Sequence, residues 1–190
     1  RRGEVKRLGL VFRDVCAKLE AGNNPPKIVI PAVPHLAEVV AETFRDIPHE
    51  IVLPDTKSSD PNAEKRLVFA AADAALAASG TVSLELAAAG TPMVIAYDFN
   101  WLTRFIVRRM VKLNSATLVN ILTNTNAVPE FIFEDCAAEK ILPCLQTTLQ
   151  DPRSSQAQLA AATEAMKMLG QGGEDPGLRA ARSVLDFIKQ

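Results

Sequence analysis

The chain has almost no net charge. Its 21 Lys and Arg face 22 Asp and Glu, so no charge excess points to nucleic acid as a partner. Cysteine is scarce: Cys16, Cys136 and Cys144 are odd in number and show no C-x-x-C spacing. That argues against a disulfide scaffold and fits free thiols in a reducing compartment. The two histidines, His35 and His49, form no metal-ligand pattern with any cysteine, and no Asp-x-Asp pair occurs. Neither a metal nor a cofactor is therefore expected. No apolar run approaches the roughly 18–20 residues that a membrane-spanning helix requires. Residues 1–20 are charged and amphipathic, unlike a secretory leader. The chain also opens without Met, at Arg1-Arg2-Gly3, as a fragment or an isolated domain would.

What is present is 48% hydrophobic residues in 190 positions, enough for one buried core. Val5, Leu8, Val11, Phe12, Val15 and Leu19 recur at helical spacing, and residues 22–26 end that helix. Short apolar runs at 27–31, 50–53, 73–78, 92–97 and 116–119 read as strands. Helical patterns over 34–45, 62–72, 81–89 and 100–113 separate them. Strands that alternate with helices predict βαβ units and a parallel, doubly wound sheet, an α/β fold. Residues 137–150, 154–170 and 175–190 read as three further helices, with no recognisable chemistry. Ser79, Tyr97, Asn120 and the loop after Leu53 fall at predicted strand ends, where such sheets bind ligands. His35 follows a strand too, either facing a ligand or as an ordinary loop residue.

The most informative stretch is ASGTVSLELAAAGTPMVIAY, residues 78–97. A strand ends at Ser79-Gly80-Thr81 and a helix begins. A small-residue turn there leaves backbone N–H groups free at the helix N-terminus, which together with the helix dipole favour phosphate. Glu85 lies four residues after Thr81, on the same face and about one turn deeper. A carboxylate there does not favour phosphate, but it can accept hydrogen bonds from two sugar hydroxyls. Phosphate donors and a diol acceptor in one turn point to a nucleotide. The same spacing also fits an ordinary strand–turn–helix unit with Ser79 as N-cap.

The helix predicted at 101–113 is two-sided. At about 100° per residue, Leu102, Ile106, Val107, Met110 and Leu113 share one side. Arg104, Arg108, Arg109 and Lys112 gather on the other, with Trp101 and Phe105 among them. Aromatics among cations fit a membrane interface, or a basic face covered by a neighbouring domain.

The run S-G-T-x3-E-x4-G-x-P, from Ser79 to Pro92, resembles the donor-site segment of nucleotide-sugar glycosyltransferases of the GT-B fold. The whole chain is similar to the C-terminal half of lipid-A-disaccharide synthases, through residues 1–8, 30–36, 71–97, 108–112 and 118–122. The resemblance implies a Rossmann-like half of a GT-B enzyme. Residues 1–135 would form the nucleotide-sugar-binding part, its first strand missing, and 136–190 its packing helices. It implies UDP-2,3-diacylglucosamine as donor and 2,3-diacylglucosamine 1-phosphate as acceptor. The products would be lipid A disaccharide 1-phosphate and UDP, formed by inverting displacement.

By the same resemblance Glu85 binds the ribose hydroxyls and Ser79, Gly80 and Thr81 face the diphosphate. Asn120, in a hydrophobic-x-Asn-hydrophobic-Leu segment, sits near the donor. Arg1, or Arg2 in its place, closes a turn and stabilises the leaving group. Phe133 stands where the family often has Gln, so no role is assigned to it. The basic face from Trp101 to Lys112 would meet the cytoplasmic side of the inner membrane, making the protein peripheral there. The acceptor site and general base would lie in an N-terminal domain, so this chain alone is expected to bind UDP weakly and not to turn over. The oligomeric state stays open, a homodimer included. Rival readings are another GT-B enzyme using a UDP-sugar, such as an epimerase or a peptidoglycan glycosyltransferase, and a non-catalytic assembly module.

Overall fold

The computed structural model describes residues 2–98, 115–174 and 176–188. Helix α1 (Arg2–Glu20) opens it and buries Leu8, Val15 and Leu19, part of the stripe read from spacing. Strand β1 (Val29–Pro31), helix α2 (Ala37–Phe44) and strand β2 (Glu50–Val52) form the first βαβ unit. The two strands are parallel, with Ile30 opposite Ile51. Gly9 lies where α1 passes α2, and an added Cβ would come 3.3 Å from the Thr43 methyl carbon. A side chain there would make Thr43 give way by a few tenths of an ångström.

Helix α3 (Ala63–Ala71) leads to β3 (Ala75–Ala78), then α4 (Val82–Ala89) and β4 (Met93–Tyr97). Gly90 ends α4 in the left-handed conformation, φ 72°, which costs a glycine little. After α5 (Leu118–Thr123) comes β5 (Glu130–Ile132). Strands β3, β4 and β5 form a parallel sheet with β4 in the middle. Helices α6 (Ala138–Gln150), α7 (Gln156–Met168) and α8 (Pro176–Ile188) close the described chain.

β4 organises the core because both its faces are covered. Side chains alternate along a strand. Met93 and Ile95 join Leu86 of α4, Val119 of α5 and Ala162 and Ala165 of α7 on one face. Val94 and Ala96 join Val15 and Leu19 of α1 and Ile141 and Leu145 of α6 on the other. All four of these β4 residues are buried to within 1%. A strand covered on both faces must be apolar throughout, which is why MVIA reads as a continuous run. A third cluster, Val40, Phe44 and Ile47, packs under β1 and β2.

Two expectations change. Residues 116–119 do not form a strand: α5 starts at Leu118, and the fifth strand is Glu130–Ile132. A short apolar run cannot by itself separate a strand from a buried helix. Here the run is helical and Val119 points into the core. Asn120 is therefore inside a helix and not at a strand end. The sheet also falls into two parts, β1–β2 and β3–β4–β5. Among the described residues β3 pairs only with β4, and all four of its apolar residues stay half-buried. Arg1 and the basic segment from Trp101 to Lys112, predicted as a helix, lie outside the described residues.

The start of β4 is fixed from α7. The Met93 N–H donates to the Gln158 side-chain oxygen at 2.9 Å, and Gln158 is 3% exposed. Gln158→Leu leaves that buried N–H unpaired and should cost about 2 kcal/mol in urea unfolding. A loss under about 0.5 kcal/mol would mean that the strand finds another acceptor.

Candidate functional site

β3 and β4 run parallel, so Ser79 and Tyr97 emerge at the same carboxyl edge. Ligands of α/β sheets bind at such an edge. The turn after β3 is set by Gly80, whose φ is 144°, in the region that L side chains avoid. A Cβ there would meet nothing within 4 Å. The backbone angle, and not crowding, is what calls for glycine. Past the turn, the Ser83 hydroxyl donates to the Gly80 carbonyl at 2.8 Å and the Glu85 N–H to the Thr81 carbonyl at 3.2 Å. The N–H groups of Gly80, Thr81 and Val82 hold no carbonyl among the described residues. These are the donors that a helix leaves over at its start.

Ser79 does not cap α4. Its hydroxyl donates to the Ala116 carbonyl at 2.7 Å, which ties the turn to the loop before α5. That loop is held in turn by Glu130, the first residue of β5. The Glu130 carboxylate accepts the N–H of Ala116 at 2.8 Å and of Thr117 at 3.1 Å. It also accepts the Ser115 hydroxyl and, at 2.7 Å, the Asn120 side-chain N–H. Asn120 donates as well to the Val128 carbonyl and accepts the Val128 N–H, both at 2.9 Å. At 2% exposure, its amide is spent on holding the chain from α5 to β5 together.

Burial alone would raise the pKa of Glu130. The hydrogen bonds from Ala116, Ser115, Thr117 and Asn120 outweigh it and hold the carboxyl below its ordinary value. Sequence reading missed Glu130, because Pro129-Glu130 looks like a turn and no spacing marks a carboxylate that gathers donors through folding. Phe133, three residues on, has φ 59°, a left-handed conformation uncommon for a bulky side chain.

Glu85 sits in the first turn of α4, with its side chain 40% exposed and one oxygen 2.5 Å from the Lys65 ammonium. At the same edge, the Tyr97 hydroxyl donates to the Glu4 carboxylate at 2.7 Å. This pins the first turn of α1 beside the end of β4. Exposed His35 follows β1 directly, in a 3-10 turn. Among the described residues, no group of His, Cys, Asp or Glu could hold a metal ion, and no helix is long and apolar enough to cross a membrane.

Parallel strands with helices on both faces, and a glycine turn at their carboxyl edge, define a Rossmann-like half of the α/β class. The chain belongs to the family described as lipid-A-disaccharide synthetase, which matches residues 1–175. A lipid-A-disaccharide synthase of Ruegeria pomeroyi is 49% identical over 99% of this chain and 47% of its own length. Relatives with the same name from Paramagnetospirillum magneticum and Rhodospirillum centenum are 38% and 39% identical, over 48% and 46% of their own lengths. The chain thus spans about half the length of the curated relatives it matches.

Glu130→Ala should cost about 2 kcal/mol at pH 7, because several donors lose a charged acceptor in a half-buried place. The folded pKa lies below the 4.5 of the free carboxyl. The stabilisation is therefore complete above about 4.5 and is lost as pH falls through the lower folded value. Urea unfolding of both proteins should show the gap narrowing below pH 4.5. A gap that is independent of pH would contradict this.

Proposed function

We propose that this chain is the donor-binding half of a lipid-A-disaccharide synthase. The longer protein would move 2,3-diacylglucosamine from UDP-2,3-diacylglucosamine to 2,3-diacylglucosamine 1-phosphate, by inverting displacement. The observation that carries this reading is the unit from β3 to α4. Free N–H groups at Gly80, Thr81 and Val82 suit the diphosphate. Glu85, four residues beyond Thr81, suits the ribose diol. Membership of the family supports the choice of donor and acceptor.

In this reading Ser79 acts through its hydrogen bond to Ala116, presenting the turn and not capping the helix. Asn120 shapes the donor site from behind, since its amide groups are already engaged. The reading places Arg1 near the leaving diphosphate, and the Tyr97–Glu4 contact supports that by setting the start of α1 at the same edge. A guanidinium there would offset charge that develops on the departing UDP. The acceptor hydroxyl would be deprotonated by a base from outside this chain.

Two further expectations belong to the proposal. The face carrying Trp101, Arg104, Phe105, Arg108, Arg109 and Lys112 would rest on the cytoplasmic surface of the inner membrane, which suits acylated substrates. Residues 1–135 would form the sheet-bearing part and 136–190 its packing helices. A further parallel strand would lie between the two sheets. The half-buried apolar residues of β3, which among the described residues pairs only with β4, support that.

Calorimetric titration of UDP into the chain tests the site. Glu85→Ala, with its melting temperature unchanged, should weaken UDP by about 30-fold, near 2 kcal/mol. The chain alone should not transfer sugar, and adding a folded acceptor-binding half should restore turnover. UDP binding that is insensitive to Glu85→Ala would put the nucleotide elsewhere.

A further inference from the structure

Lys65 is the cation that meets Glu85. It stands in the first turn of α3, the helix that packs beside α4. Its Nζ lies 2.5 Å from Glu85 Oε2 and 5.9 Å from the centre of the Phe69 ring, one turn further along α3. Phe69 is itself buried in the main core. The Lys65 ammonium is thus held between Glu85 and a fixed aromatic face, and its side chain is 29% exposed. A free surface lysine would have no such seat. We infer that Lys65 is a positioning residue for the donor: it holds the Glu85 carboxylate in the orientation that accepts both ribose hydroxyls. This rests on the reading of Glu85 as the diol acceptor.

The chemistry is consistent with a ligand still binding. A carboxylate has about four lone-pair directions. Lys65 occupies one, on Oε2. Both oxygens can still accept one hydroxyl each. An unheld glutamate has several rotamers, and binding a diol in two bonds selects one of them. That loss of freedom is charged to affinity unless a neighbour has already fixed the side chain. Arg66, the next residue, points elsewhere and pairs with Asp60, so Lys65 alone on α3 carries this contact. The pair contributes little to stability, because both partners are partly exposed. Its removal should therefore be felt in binding and not in folding.

The test is a double-mutant cycle in this chain, read as the dissociation constant for UDP. Lys65→Met keeps an unbranched side chain of similar length and removes the charge. It should weaken UDP by about fivefold to tenfold, with the melting temperature unchanged, and Lys65→Arg should restore most of the loss. In the Glu85→Ala background the same Lys65→Met change should alter UDP affinity by less than about twofold, because a residue that acts through Glu85 has nothing left to position. Equal losses in both backgrounds would mean that Lys65 touches the ligand or the fold directly, which overturns the inference. So would a Lys65→Met chain that binds UDP as well as the parent while Glu85→Ala does not. If Glu85→Ala itself leaves UDP binding unchanged, the diol reading fails and takes this inference with it.

Discussion

The Glu130 carboxylate is the interaction on which the rest of the site depends. It stands at the start of β5, the edge strand beside β4. From there it gathers the N–H groups of Ala116 and Thr117, the Ser115 hydroxyl and the Asn120 amide. A carboxylate with that many donors fixes a loop that has no secondary structure of its own. With its N–H groups taken, the loop presents the Ala116 carbonyl to Ser79. The turn at Ser79-Gly80-Thr81 is thereby set from two sides: by Gly80's backbone angle and by a tether that leads back to β5. Rigid elements on both sides thus hold the candidate turn in place, as in many binding sites.

β4 supplies the stiffness behind that arrangement. It is the middle strand of its sheet and is buried on both faces. Met93 and Ile95 hold α4, α5 and α7 together, while Val94 and Ala96 hold α1 and α6. The candidate turn therefore rests on a helix whose inner face, Leu86 and Ala87, is packed into the same core cluster as Met93 and Ile95. Thr91 adds a fastening between layers, its buried hydroxyl donating to the Phe69 carbonyl at 2.5 Å. The same Phe69 seats Lys65. One aromatic side chain thus links the core, the α3 layer and the carboxylate of Glu85.

Much of the fold was legible in the chain because the elements are marked by strong local signals. The six-residue apolar stripe of α1, the Gly90 stop after α4 and the continuous run MVIA each name their element. The placement of Ser79, Gly80, Thr81 and Glu85 on one strand–turn–helix unit was readable for the same reason. What was not readable depends on contacts across long stretches of sequence. The run at 116–119 is too short to reveal its period, and tertiary packing of Val119 decides it as a helix. Ser79 looked like a cap, yet its hydroxyl goes 37 residues away. Asn120 looked like a strand-end residue, yet it lies inside α5 and bonds to Val128 and Glu130. Glu130 and Lys65 gave no signal at all, since their roles arise only when distant segments meet.

In the proposed site the N–H groups of Gly80, Thr81 and Val82 receive the phosphates of a nucleotide, and the loop at 115–117 holds the turn in place. Backbone amide NMR of the labelled chain during a UDP titration addresses it directly. The resonances of Gly80, Thr81 and Val82 should move furthest and their exchange with solvent should slow, with smaller changes at Ala116 and Thr117. Saturable shifts confined to other parts of the chain, with Gly80 to Val82 unmoved, would contradict it.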